Sequence, residues 1–170
     1  MLRTYRIKWL FKPAKRFYFA DLCVLEHHGS IFVFFEKFDL RKRKLSIYVI
    51  DFDGKESPTK MTLSMSAPYH LAYPSVFKHN DEVYMTLEEA RSDNICVYRL
   101  IDFPDKWEKI STLVEGVSGL DPTICRHDSL WWLFFVLKEK GQSIKLYPTF
   151  RTKVRANFGN YFPPLFIYHR

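Results

Sequence analysis

The chain has 170 residues, 47% of them apolar and 26% charged, a balance that folds and that excludes a disordered tail. Its longest unbroken apolar run, Leu130 to Leu137, is eight residues, far short of the roughly 20 that a membrane-spanning helix needs. The net charge of +7 divides unevenly, with +6 on residues 1–19, −5 on residues 20–137 and +6 on residues 138–170, so the centre is acidic and only the ends are basic.

The first nineteen residues carry six basic groups and no acid. Charges interrupt every apolar stretch there before a signal-peptide core can form, so a cytoplasmic location is expected. No helix-turn-helix, finger or Lys/Arg stripe accompanies the basic ends, which argues against a nucleic-acid partner. Aromatic residues reach 18%, with 16 Phe, 10 Tyr and 4 Trp, while Gly is scarce at 6. Large flat side chains pack well on pleated sheet, so the composition leans toward strands.

Three windows align without a gap: DLCVLEHHGSIFVFFE from Asp21, YPSVFKHNDEVYMTLE from Tyr73 and DPTICRHDSLWWLFFV from Asp121. Each alternates apolar and polar residues, reaches His27, His79 or His127, turns, and continues in an apolar strand, the pattern of a β-hairpin. A third strand follows at Leu45–Phe52 and again at Asn94–Phe103, both ending Ile-Asp-Phe. A fourth is expected around Lys60–Leu63 and Lys109–Val114. Asp53-Gly54, Asn80-Asp81 and Pro104-Asp105 punctuate the strands as turns. Four strands in about 50 residues is the unit of a β-propeller blade.

The expected fold is therefore all-β and propeller-like, with about three four-stranded blades. Blade one covers about 20–66, blade two about 72–116 and blade three about 120–150, the last completed by Ser143–Thr149. A divergent basic tail covers 151–170. Propellers close with four to eight blades, so the chain reads as part of a ring, and open blade edges invite self-association.

Several segments together resemble one family: Phe17–Asp21, the hairpin Val24–Glu36, the stretch Pro68–Phe77, Phe103–Glu108, Asp121-Pro122-Thr123 and Trp131–Phe134. It is the five-bladed propeller domain similar to the N-terminal region of glucosamine inositolphosphorylceramide transferases, a relative of the arabinanase, xylosidase and levansucrase propellers. The likeness covers about residues 12 to 137. It implies a truncated, carbohydrate-facing propeller that works beside a glycosyl- or formyl-transferase in surface glycan or glycolipid synthesis; the alternatives are a glycoside hydrolase- or glycosyltransferase-type enzyme using Asp21 and Asp121, and a truncated remnant without independent activity. Its partners would be a carbohydrate or nucleotide sugar and a transferase. The related inverting glycosidases use a blade-one Asp as general base and a blade-three Asp to tune and position. Asp21 and Asp121 match these by motif, each expected to open an innermost strand. The Glu of a later blade has no counterpart, and Leu22 stands where the family usually has Pro.

The residues themselves leave three roles open for Asp21 and Asp121: capping a strand start, binding sugar hydroxyls, or acid–base work, which needs two carboxylates in complementary roles. Glu36 and Glu88 occupy the same column of the repeat, where Val136 stands in the third, and either face the channel or are simply solvated. His70 and Tyr73 offer an aromatic face with hydrogen-bonding tips for a sugar ring, or latch one blade to the next. The recurrent His27, His79 and His127 read as turn residues because one per blade would not converge on a metal. No metal site and no cofactor is expected, since GxGxxG, Walker and G-x-S-x-G patterns are missing. Cys23, Cys96 and Cys125 are expected as buried thiols in a reducing compartment. Trp107, Trp131 and Trp132 read as core. Arg41-Lys42-Arg43-Lys44 reads as a solvated turn, or else as a contact for phosphate or acidic glycan.

Overall fold

The computed structural model describes residues 14–52, 60–89, 92–127, 130–137 and 165–166. All regular structure among them is β. Alternation of aromatic or β-branched residues with polar ones sets each strand, because a period of two buries one face and wets the other.

The first sheet is an antiparallel meander of β1 (Phe17–His27), β2 (Ser30–Asp39), β3 (Lys44–Phe52) and β4 (Met61–Met65). The second repeats it with β5 (Leu71–His79), β6 (Glu82–Glu89), β7 (Asn94–Asp102) and β8 (Lys106–Glu115). The third pairs β9 (Gly119–His127) antiparallel with β10 (Leu130–Leu137). Turns at His28-Gly29 and Asn80-Asp81 join the hairpins with positive φ at all four residues, the left-handed conformation that tight hairpins need. Gly29 meets no atom within 4 Å of a built Cβ, so at φ +78° it is the backbone, not space, that favours glycine.

The sheets stack face to face like blades. Phe34, Ile47 and Val49 of the first sheet pack against Leu71, Val83 and Met85 of the second. Tyr84, Ile95 and Val97 of the second pack against Trp131, Leu133 and Phe135 of β9–β10's sheet. Phe34 and Phe35 leave opposite faces of β2, so Phe35 joins Val33 and Ile50 in a separate cluster on the face turned from the second sheet. Each such fully buried side chain contributes about 1.5–3 kcal/mol.

Polar ties fix the inner strands to one another. Val76 N donates to Cys23 Sγ at 3.3 Å, the Thr86 hydroxyl donates to Pro122 O at 2.8 Å, and Tyr73 Oη lies 3.0 Å from Thr123 Oγ1. On the outer side, Ser64 donates to Pro104 O at 2.9 Å and accepts from Trp107 Nε1 at 3.1 Å.

Three expectations change, and a fourth lies outside the described residues. Asp21 and Asp121 lie inside β1 and β9 instead of opening them, because both strands begin earlier, at Phe17 and Gly119. Ser143–Thr149 lies outside the described residues; the strand found beside β10 is β11 (Leu165–Phe166), which pairs with it parallel. Cys96 is buried and Cys23 half-buried, but Cys125 is exposed, on the outward side of its alternation. Trp131 is 3% exposed and Trp107 packs on the core between the first two sheets. Trp132 is only half-buried and donates to His127 O at 3.4 Å. Among the described residues no helix is long and apolar enough to cross a membrane.

Candidate functional site

The first column of the three aligned windows holds Asp21, Tyr73 and Asp121, and all three have left-handed backbones, with φ of 49°, 48° and 52°. At each, the register to the neighbouring strand slips, between Ala20 and Cys23, between Ala72 and Ser75, and in the β9–β10 pair between Phe134 and Val136. A bulge of this kind bends the innermost strand and re-aims one side chain. Asp tolerates the left-handed region; Tyr rarely visits it, so Tyr73 is held there by its surroundings.

The residue just before each bulge faces the second strand. Ala20 is opposite Glu36, Ala72 opposite Glu88 and Leu120 opposite Val136. The column of acids seen in the sequence thus lies beside the column of bulges, and the two converge. The Glu36 carboxyl senses the charges of Asp21 and Glu88. Burial, then the neighbouring Asp21 push Glu36 up to about 7, against a lowering by the Tyr73 N–H. That amide donates to Glu36 Oε2 at 3.4 Å. Burial first and the Asp21 charge second also raise Asp121. Four carboxyl groups from three sheets therefore share one electrostatic field, with the Tyr73 hydroxyl bridging to Thr123, whose own hydroxyl reaches Asp121 O at 3.3 Å.

Asp21, Asp121, Glu36, Glu88 and Tyr73 are brought together. His70 is not part of this group: its Nδ1 accepts the Leu45 N–H at 3.0 Å, and its ring lies 6.3 Å from Phe38, which ties the loop after β4 back to the β2–β3 hairpin. His27, His79 and His127 each end an inner strand. His27 stacks on Phe103 with ring centres 5.4 Å apart, and His79 meets Trp131 edge-on at 5.3 Å. Among the described residues no group of three His, Cys, Asp or Glu side chains is placed to hold a metal ion. Thr123 and the bulges themselves were not singled out from sequence; the signal was present in the repeat, since a column reading Asp, Tyr, Asp at the start of three strands marks a shared backbone feature.

An acidic cluster of carboxyls beside a tyrosine can accept hydrogen bonds from hydroxyls, favour a cation and hold a proton near neutral pH.

The family described as "Glucosamine inositolphosphorylceramide transferase 1, N-terminal" matches residues 13–146. The rice protein (Oryza sativa subsp. indica) called glucosamine inositolphosphorylceramide transferase 1 is 28% identical over 116 residues, 68% of this chain and 16% of its own length. Its Arabidopsis thaliana namesake is 30% identical over 86 residues, 47% of this chain and 11% of its own. The chain therefore spans about a sixth or less of the length of these relatives. Among solved structures, a family 117 glycoside hydrolase from Zobellia galactanivorans superposes with a TM-score of 0.61 at 11% identity, over 78% of this chain and 53% of that one. An alpha-L-arabinofuranosidase from Lactobacillus brevis gives 0.59 at 14% identity, over 89% and 58%. At such identities the likeness carries the fold.

Proposed function

The chain belongs to the family of the glucosamine inositolphosphorylceramide transferase 1 N-terminal domain, and from that premise we propose that it is a carbohydrate-recognising propeller module accessory to a transferase in glycolipid or surface-glycan synthesis. The observation that carries this reading is the convergence of Asp21, Glu36, Glu88 and Asp121 with Tyr73 on the bulged inner strands. Carboxylates that accept sugar hydroxyls beside an aromatic ring are a common means of holding a polyol. The name of the family points to glucosamine, and an amino sugar protonated at its nitrogen complements an acidic cluster where a neutral sugar does not. The cluster is thus best suited to an amino sugar.

Hydrolysis by Asp21 and Asp121 is the second reading, favoured only by the elevated proton affinity of Glu36 next to a second acid, a combination that can supply a general acid. The shared electrostatic field of Asp21, Glu36, Glu88 and Asp121 speaks for joint binding of a ligand over division into acid and base.

The test is a thermal-shift titration with glucosamine, N-acetylglucosamine and glucose. A ligand that binds only the folded chain raises its melting temperature by mass action. Glucosamine is expected to raise it more than the two neutral sugars, and Asp21→Asn with Glu36→Gln to remove the difference. Equal shifts for all three sugars, or none for any, would overturn the reading. Release of a free sugar from a glycoside, abolished in Asp21→Asn, would replace it with the hydrolase reading.

A further inference from the structure

Glu36 and Lys37 are adjacent on β2 and so leave opposite faces of the first sheet. Glu36 turns toward Tyr73 of the second sheet. Lys37 lies on the other face, with Nζ 4.1 Å over the Phe17 ring and 4.4 Å over the Tyr48 ring. The register brings further side chains to that face: Phe17 is opposite Asp39, Asp39 opposite Lys44, and Lys37 opposite Ser46. With Arg16, Lys42 and Ser66 they line a cavity of about 230 Å³.

The cavity has more donors than its own acceptors can use. Its lining holds four cations, Arg16, Lys37, Lys42 and Lys44, against one carboxylate, Asp39. Asp39 is already engaged, by Arg16 at 2.7 Å and by the Arg41 and Lys42 amides at 3.0 and 3.4 Å. Lys37 Nζ reaches only the Met61 thioether, at 3.7 Å, among the described residues. Arg16 Nε is buried with no hydrogen-bond partner among them. Lys44 gives one proton to the Ser66 hydroxyl at 2.8 Å and, as an ammonium, keeps two.

We infer that this cavity is a phosphate-binding site, separate from the acidic cluster on the opposite face of the same sheet. A net lining charge of +3 exceeds what one carboxylate would balance. A phosphate monoester carries about −1.5 to −2 and presents three oxygens in different directions. These suit donors arriving from Arg16 just before β1, from β2 and from the β2–β3 turn, while Ser46 and Ser66 add hydroxyls. Burial, and behind it the Arg16 and Lys42 charges, press Lys37 toward losing its proton, whereas Asp39 opposes this; a bound anion would add to the effect of Asp39. A soluble ester and a lipid headgroup offer the same phosphate oxygens, and the test distinguishes the two sources.

Two titrations of the whole chain at low ionic strength separate the sources, one with inorganic pyrophosphate by calorimetry and one by co-sedimentation with phosphatidylcholine vesicles containing phosphatidic acid. Lys37→Met preserves the packing over the rings, and Lys42→Glu changes only an exposed turn, so folding of at least one variant is secure. Binding in either arm that weakens about tenfold or more in these variants, and is unchanged in Lys106→Gln on the second sheet, is the expected result. The responding arm identifies the source. Binding in neither arm, or binding that all three variants weaken alike, would overturn the inference.

Discussion

Across the bulge of β1 the charge of Asp21, behind burial, raises the proton affinity of the Glu36 carboxyl, because two neighbouring acids do not readily ionise together. Glu36, whose ordinary value is 4.5, is pushed up to about 7 in the folded chain, so between about pH 4.5 and 7 the folded state binds more protons than the unfolded one. Stability from this group is therefore full below pH 4.5 and is lost as the pH rises through 7. The full shift would correspond to about 3 kcal/mol, and solvent screening of a half-buried group reduces it to about 1 kcal/mol. Glu36→Gln, which cannot ionise, should flatten the slope between pH 5 and 8 and stabilise the chain at pH 8. Urea melts at both values check this; an unchanged slope in the variant would assign the pH dependence to another group.

Ser64 connects the outermost strand of the first sheet to the second, accepting from Trp107 Nε1 and donating to Pro104 O. Ser64 is 3% exposed, so Ser64→Ala strands a donor and an acceptor that water reaches poorly. The cost should be about 1–3 kcal/mol. Trp107→Phe loses one bond but leaves Ser64 paired with Pro104, and should cost less at the hydrogen-bond level than its lost ring area alone would suggest. A double-mutant cycle read by urea denaturation gives the coupling; zero coupling would show that the two residues act independently.

Much of this architecture was legible in the sequence because the repeat speaks twice. The shared ending at Ile50-Asp51-Phe52 and Ile101-Asp102-Phe103 identified the third strands, now β3 and β7, although the last Phe of the second lies just beyond β7. The acids of the cluster were visible as a column, Glu36 over Glu88. What could not be read was the side of the sheet on which each side chain emerges near a bulge, since one inserted residue reverses the alternation. Asp21 and Asp121 were accordingly placed at strand starts. The sequence around His70 suits a sugar contact as well as a latch, and its bond to Leu45 N depends on a turn between distant strands that no local pattern encodes. The basic run from Arg41 to Lys44 showed charge but not the partners, Arg16 and Lys37, that strand register brings to it.

Exposure separates the three cysteines chemically. Cys125 is exposed on β9, Cys96 is buried, and Cys23 is bonded to the Val76 backbone. Burial raises the thiols of Cys23 and Cys96, which lowers the thiolate fraction available to an alkylating agent. Iodoacetamide should therefore label one position quickly in the native chain and the other two only on unfolding. Mass spectrometry of the labelled peptides locates the fast site; rapid labelling at Cys96, which leaves β7 on the face opposite Ile95 and Val97, would mean that the interface between the first and second sheets opens readily.

Gly119 begins β9 where it passes closest to the second sheet. A Cβ there would lie 2.5 Å from Ile95 Cδ1, 2.9 Å from Ile95 Cγ1 and 3.2 Å from the Phe135 ring. Ile95 is fully buried and Phe135 nearly so, and two contacts to one branched side chain cannot both be relieved by a single rotation. Gly119→Ala should thus destabilise by about 1–3 kcal/mol through overpacking. Ile95→Val removes the nearer of the two Ile95 atoms, so the double variant should recover part of that loss and give a favourable coupling. Equilibrium urea melts of the two single variants and the double one measure it. Simple additivity would mean that β9 moves away from the second sheet to admit the methyl group, and that the packing of β9 against Ile95 is softer than the close approach of these residues implies.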